Sequence, residues 1–243
     1  MKNNKLSNSI TDRIFWKSYW SNYKPKIVNR VMFDDIFKTL ADNKSFIEIG
    51  GFPGTFSVYM KKYKGYEVSL LDYYIDEKIV REMERINSIK EESIQLIETE
   101  FISYKTDKKY DVVFSSGFIE HFQNLEIIYK KHYEITKKGG IMLISLPNFL
   151  GLNGFVQKYF DNKNYDAHNL EAMKIENIKK ILNSLNLKYY KILYYGKPGL
   201  WLEKTAKVKK YTRFVIKLIS QIIKILPLKN KILSTRIVII AKK

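Results

Sequence analysis

The densest group of residues able to do chemistry lies between positions 46 and 72. The run Phe46-Ile-Glu48-Ile-Gly50-Gly51-Phe52-Pro53-Gly54-Thr55-Phe56 places a buried-type strand directly before a glycine-rich turn and a helix start. That arrangement suits a charged small molecule. Glycine lets a backbone approach a ligand closely, and the free N–H groups at the start of the next helix favour negative charge such as a carboxylate. Glu48, at the strand end, can receive an ammonium. Asp72 closes the next apolar run, Tyr66–Leu71, and lies 24 positions after Glu48, near the offset at which α/β folds offer a carboxylate to ribose hydroxyls. Loops also need glycine for geometry alone. It is the sequence of strand, loop, helix, strand and acid that points to a ligand.

Three histidines are the other candidates, because imidazole is the side chain best matched to removing a proton from an alcohol near neutral pH. His121 follows the apolar run Tyr110–Ser115, and His168 lies in the polar segment Asp161-Asn-Lys-Asn-Tyr-Asp-Ala-His168-Asn. Both are placed to reach an acceptor and are the expected catalytic residues. The bland alternatives are a histidine that anchors its loop by hydrogen bonds and one that is solvated in a loop. His132, in Lys130-Lys131-His132, reads as a surface position. Cysteine is absent, which excludes disulfides, thiolate zinc sites and cysteine nucleophiles, so any metal would need histidine and carboxylates.

Positioning these groups requires a regular frame, and the sequence alternates short apolar runs with longer amphipathic stretches, the pattern of a parallel sheet with crossover helices. Strands are expected at Ser45–Ile49, Tyr66–Leu71, Ser93–Glu98, Tyr110–Ser115, Ile141–Leu146, Leu187–Tyr195 and Thr235–Ala241. Helices are expected at Ile10–Tyr23, Val28–Leu40, Phe56–Lys64, Asp76–Ile89, Leu125–Thr136, Ile175–Leu185 and Val208–Ile225. Lys137-Lys138-Gly139-Gly140 reads as a helix end, since basic residues suit the negative pole of the dipole and glycine accepts a left-handed conformation beyond it. The final strand implies that the C-terminus rejoins the sheet, so we expect one domain over residues 1–243. Within it, 1–40 forms a helical cap, 41–148 the ligand-binding core, and 149–243 an acceptor-side insert with a basic helix and the last strand. In the first segment Phe15, Trp16, Tyr19, Trp20 and Tyr23 share helical spacing; core packing is the expected role, compatible with a lid.

The 43 Lys and Arg against 25 Asp and Glu leave a net charge of +18, which attracts phosphates of nucleic acid, nucleotide-linked substrates or an anionic membrane without choosing among them. A compositional bias toward Lys, Asn, Ile and Tyr could also produce it. The N-terminal MKNNKLSNSITDR lacks an apolar core, and no window reaches about 18 uninterrupted apolar residues, so neither secretion nor membrane spanning is indicated and the cytoplasm is the expected location. In 204–231, apolar residues including Phe214, Leu218 and Ile222 interleave with Lys207, Lys210, Arg213, Lys217 and Lys224, a basic amphipathic stretch able to lie on an anionic bilayer or to pack on the sheet.

Three segments resemble class I S-adenosylmethionine-dependent methyltransferases, particularly small-molecule and glycan methyltransferases of bacterial surface polysaccharide pathways. Glu48-Ile-Gly50-Gly51-Phe52-Pro53-Gly54 is similar to the family's E-x-G-x-G-x-G loop; Tyr110–Phe122 looks like the fourth strand and the loop beneath the cofactor; Lys138-Gly139-Gly140 through Pro147-Asn148 resembles the helix end and fifth strand. The resemblance implies a Rossmann-like seven-stranded sheet, mostly parallel with an antiparallel last strand and helices on both faces. It implies S-adenosyl-L-methionine as cofactor, with Glu48 at the methionine part, Gly50, Gly51, Phe52 and Gly54 in the loop, Asp72 on the ribose hydroxyls, Glu100 and Phe101 beside the adenine, and Ser116 below. Phe52 departs from the pattern, standing where the middle glycine is usual. A dinucleotide site fits less well, because G-G-F-P-G is not G-x-G-x-x-G and Glu48 would face a pyrophosphate.

The implied reaction is O-methylation of a sugar hydroxyl in a nucleotide- or lipid-linked glycan. The alternatives are RNA 2′-O-methylation, for which Ser115-Ser116-Gly117 stands where that family's catalytic Asp is expected, and a noncatalytic cofactor-fold subunit. Amino methylation lacks its motif, since Pro147-Asn148 follows the fifth strand and not the fourth. Glu120 and His121 could meet a metal, as in some quinone-directed relatives, but two ligands fall short of a site and none is expected.

Overall fold

A computed structural model describes residues 9–203 and 206–243. Seven strands form one sheet: β1 (Ser45–Ile49), β2 (Glu67–Asp72), β3 (Ile94–Glu98), β4 (Tyr110–Ser116), β5 (Thr136–Pro147), β6 (Tyr189–Pro198) and β7 (Ser234–Lys242). Their spatial order is β3-β2-β1-β4-β5-β7-β6. The first five run parallel, and β7 lies antiparallel between β5 and β6. The chain moves outward from β1 to β3 and then returns to the other side of β1 as β4. That reversal opens a crevice beyond the carboxyl ends of β1 and β4, the usual ligand position in such sheets.

The helices are α1 (Arg13–Trp20), α2 (Asp34–Lys38), α3 (Thr55–Lys64), α4 (Glu77–Ile86), α5 (Leu125–Ile135), α6 (Leu152–Phe160), α7 (Asn162–Asp166), α8 (Ile175–Asn183) and α9 (Lys210–Ile223). Side-chain caps set several starts: Asp12 accepts from the Phe15 N–H at 2.7 Å, and Asp76 from Lys78 at 3.1 Å. Two apolar layers sandwich the sheet. Phe33, Phe37, Val58, Met60, Val80 and Met83 cover one face. Ile128, Tyr129, Met173, Ile178 and Leu182 cover the other. Burying each such side chain is worth about 1.5–3 kcal/mol, so this layering outweighs weak local preferences.

Two local expectations give way to that packing. The stretch Val28–Leu40 is helical only over Asp34–Lys38, because the Val28 N–H donates to Asn87 Oδ1 at 2.7 Å and Asn87 Nδ2 donates to the Lys26 carbonyl at 3.1 Å, holding the approach to α2 extended. The segment Lys137–Gly140 does not end a helix: α5 stops at Ile135, Thr136 is extended, and residues 137–140 form an irregularity inside β5, where pairing with β4 jumps from Tyr110↔Thr136 to Val112↔Ile141. Gly139 does take the left-handed conformation, at φ 79°, but within that bulge. Helices α6 and α7 were not anticipated.

Asn148, fully buried after β5, donates through Nδ2 to the carbonyls of Lys231 and Ser234, both at 2.8 Å, and so fastens the start of β7 beside the crevice. Asn148→Ala is expected to lower unfolding free energy by about 2 kcal/mol, the cost of two lost bonds and stranded carbonyls, as measured by urea denaturation. A change below about 0.5 kcal/mol would show that the β7 anchor is redundant.

Candidate active site

The crevice is a cavity of about 520 Å³, well within the size range of small-molecule sites. Its floor is the loop between β1 and α3. Gly50 sits at φ 63° and its N–H donates to the Leu71 carbonyl at 2.8 Å; a Cβ there would lie 2.2 Å from the Phe118 ring. At Gly51 a Cβ would meet Glu48 Cγ at 2.2 Å. These two glycines therefore make room for side chains of the protein itself, not only for a ligand. Phe52 is buried edge-on between Trp20 and Tyr74, with ring centroids 5.7 Å from each, so the residue that replaces the usual glycine joins the loop to α1. Gly54, at φ 89°, caps α3.

Glu48, Gly50, Gly51, Phe52, Asp72, Glu100, Phe101 and Ser116 all border the cavity, whereas Gly54 lies behind the loop as a cap. Glu48 is buried and one of its oxygens, Oε2, accepts from the Ser57 N–H at 2.7 Å and its hydroxyl at 2.6 Å. Desolvation dominates those bonds and raises its pKa to about 8. Asp72 accepts from the N–H groups of Phe52 at 2.9 Å and Tyr74 at 3.2 Å. Burial still lifts it to about 6, with Glu98 adding to the rise. Glu100 keeps a buried Oε1 with no partner among the described residues. The cavity thus holds carboxyl oxygens that burial has made costly to ionise and that a cation or hydroxyl donors would relieve.

At the other end stand Glu120, His121 and His168. The turn Ile119–His121 follows β4, and the Asn169 N–H donates to the Glu120 carbonyl at 2.7 Å while Asn169 Nδ2 donates to the Phe122 carbonyl at 2.8 Å. These bonds carry His168 against His121, ring centroids 4.7 Å apart. Burial holds both imidazoles neutral, with pKa values near 3 and 4. Both are therefore weak bases at neutral pH. Glu120 moves the other way, to about 8, by burial. His132, read from sequence as a surface residue, is instead fully buried: its Nε2 meets Ser115 Oγ at 3.1 Å and its Nδ1 the Ile128 carbonyl at 2.8 Å, a packing role behind β4.

Helix α1 closes the mouth. None of its residues is buried, yet Phe15, Trp16, Tyr19 and Trp20 border the cavity while Trp20, with Tyr23 beyond it, also packs against the core, so the aromatic spacing serves both the site and the core. Arg13 pairs with Glu98 at the end of β3, and the Tyr19 hydroxyl donates to Glu203 Oε2 at 3.2 Å. Reading the sequence missed Arg236, Trp201 and Glu203. Arg236 had a visible signal, a lone charge in the apolar run Thr235–Ala241; its guanidinium lies 3.4 Å from the hydroxyls of Ser116 and Ser145. Trp201 and Glu203 reach the cavity only through long-range folding.

No curated protein sequence matches the chain. Solved structures share its fold: a SAM-dependent methyltransferase from Archaeoglobus fulgidus, with 22% identity, a TM-score of 0.57 and coverage of 96% of this chain and 95% of that one. Phosphoethanolamine N-methyltransferase 2 of Haemonchus contortus, in complex with S-adenosyl-L-methionine, matches at 16% identity and a TM-score of 0.59 over 86% of this chain and 50% of that one. The plantazolicin methyltransferase in complex with SAH and a substrate analogue matches at 12% identity and a TM-score of 0.53, covering 87% and 79%. A family model described as a methyltransferase domain matches residues 19–192, well over half of the sequence, and the chain therefore belongs to the methyltransferase-domain family.

Proposed function

We propose that this chain transfers a methyl group from S-adenosyl-L-methionine to a hydroxyl of a sugar in a nucleotide- or lipid-linked glycan. The observation that carries the reading is one cavity lined both by the acids and glycine loop and by the Glu120, His121 and His168 cluster. The residues present fit the cofactor. Glu48 keeps Oε1 for an ammonium after Oε2 is taken by Ser57, Asp72 faces the cavity for ribose hydroxyls, and the unpartnered Glu100 Oε1 can accept from the adenosine portion. Gly50, Gly51 and Phe52 set the floor, with Phe101 and Ser116 beside it. When bound, the cofactor supplies a methyl group made electrophilic by its sulfonium sulfur. The protein's part is positioning: Phe52, Trp20 and α1 exclude water, and the far cluster aligns the acceptor oxygen, since in-line geometry provides much of the rate in such displacements.

The cap 1–40, core 41–148 and acceptor-side region 149–243 then correspond to lid, cofactor site and acceptor site of one domain; residues 1–8 and 204–205 lie outside the described part. His121 and His168 border the acceptor, and because burial leaves them too weakly basic to take its proton, that proton passes to water. Arg236 and the half-exposed aromatics suit a polar, ring-bearing acceptor. A cavity capped by α1 favours this over RNA, which needs an open basic groove for its backbone.

Helix α9 gives the acceptor a source. Only Ile216 and Ser220 are buried along it, while Phe214 is 64% exposed, Leu218 52% and Ile222 60%. Lys210, Lys217 and Lys224 are exposed on the same helix or its cap. Among the described residues no helix is long and apolar enough to cross a membrane. An apolar face rimmed by lysines suits peripheral docking on an anionic leaflet, where lipid-linked glycans are presented.

Calorimetric titration with S-adenosyl-L-methionine is expected to show binding, lost in Glu48→Ala and weakened at least ~10-fold in Asp72→Asn, the loss of one charge-assisted contact. A folded sample that does not bind sinks the cofactor assignment. Affinity is expected to rise as pH increases through about 6 and about 8, where Asp72 and Glu48 ionise. Stability of the ligand-free protein has the opposite sign: both pKa values are raised on folding, so the contribution is present at low pH and lost as pH rises through those values, which thermal scans without ligand would follow. Flotation with phosphatidylglycerol vesicles, absent with phosphatidylcholine and abolished by L218E together with I222E, tests the α9 surface. Equal flotation of the double variant would refute it.

A further inference from the structure

We propose that Glu120, His121 and His168 bind one divalent first-row transition-metal ion, which in turn holds the acceptor hydroxyl; the ion's use rests on the methyl-transfer reading, but its binding does not. From sequence only Glu120 and His121 were available as ligands, two short of a closed site. The fold supplies the third by folding the segment after α7 back onto β4, and one ligand atom from each residue lies within 4.8 Å of the others. Three donors at about 2.0–2.2 Å around one tetrahedral ion stand about 3.3–3.6 Å apart, so a pair at the 4.8 Å limit would have to close by roughly 1.2–1.5 Å, within the reach of side-chain rotation.

Three independent features give this trio the chemistry of ligands. Glu120 is 1% exposed, and among the described residues neither of its carboxyl oxygens has a hydrogen-bond partner. Leaving such a group buried and unpaired costs several kcal/mol, which a cation removes. His121 Nδ1 lies 2.9 Å from the Ala167 carbonyl, and His168 Nδ1 lies 2.5 Å from the Asn164 carbonyl. A carbonyl can only accept, so each Nδ1 carries the proton and each Nε2 presents its lone pair, the outer-shell arrangement that orients histidine toward a metal. The rings are also fixed mechanically, His121 against Trp16 at 5.2 Å and His168 against Phe149 at 4.7 Å.

Arg236 is the one nearby cation that could serve Glu120 instead. Its guanidinium lies 3.4 Å from the Ser116 and Ser145 hydroxyls, and although its charge attracts Glu120 it makes no hydrogen bond to that carboxylate, so the carboxyl oxygens stay open to a ligand. Two imidazoles and one carboxylate select zinc, iron, cobalt or manganese over calcium or magnesium, which prefer all-oxygen shells. Three protein ligands leave a coordination position open to the cavity, where a hydroxyl oxygen can bind.

The test is equilibrium dialysis of the chelator-treated full chain against Zn2+, with metal content read by mass spectrometry. One equivalent is expected, undisplaced by excess Mg2+, and weakened about 100-fold in Glu120→Gln and in His168→Ala, as for loss of one of three ligands. His168→Gln replaces the alanine variant if that does not fold. Because Trp16 touches His121, Co2+ is expected to quench tryptophan fluorescence in the native chain and not in these variants. Affinity for S-adenosyl-L-methionine, measured in the same variants, is expected to be unchanged, which separates failure of the metal site from failure of the cofactor site. Absence of bound Zn2+, equal retention of Mg2+, or binding unaltered by Glu120→Gln and His168→Ala overturns the proposal.

Discussion

Placing carboxyl groups in a dry crevice is the constraint on which the rest of the structure turns. Glu48, Asp72 and Glu120 all stand at or just beyond strand ends, and burial makes the charge of each expensive. The fold compensates unequally. Asp72 receives backbone N–H groups, Glu48 receives the hydroxyl and N–H of Ser57, and Glu120 has the attraction of Arg236 but no side-chain hydrogen bond among the described residues. The protein therefore stores unmet acceptor capacity along one cavity, which cationic or hydroxyl-bearing ligands would satisfy more favourably than water could in a less polarisable setting.

That cavity exists because the sheet reverses direction between β3 and β4. The reversal separates the loops after β1 and β4, and side chains of one loop then occupy the space that glycines in the other leave open, as Phe118 does above Gly50. Helix α1 is fastened across the opening at both sides, by Arg13 to Glu98, by Trp20 against Phe52, and by Tyr19 to Glu203. Phe52, a departure from the family's loop, is thus the contact through which the floor and the lid touch.

The methyltransferase-domain membership and the sheet agree with what the residues alone indicated, and the expected antiparallel last strand lies where β7 pairs with β5. Strand positions were readable because continuous apolar β-branched runs have few other solutions in a chain this polar. The cofactor loop was readable for a related reason: Glu48, the glycines and Asp72 are close in sequence, and their spacing is dictated by the length of one strand, one helix and the next strand. Helix ends were less readable. Val28 and Lys26 are held by Asn87, almost sixty residues on, and no local propensity records such a bond.

Sequence by itself determined the family, the order of strands and helices along the chain, and that Glu48 and Asp72 close neighbouring strands, all of which depend on periodicity and short spacing. Tertiary structure alone decided that His168 meets His121, that Arg236 enters the cavity, that His132 is buried, and that the aromatics of α1 border the site as well as the core. Those facts depend on contacts between separate elements, some over 100 residues apart, set by which surfaces bury together once the sheet has formed, and a periodic pattern carries no record of them.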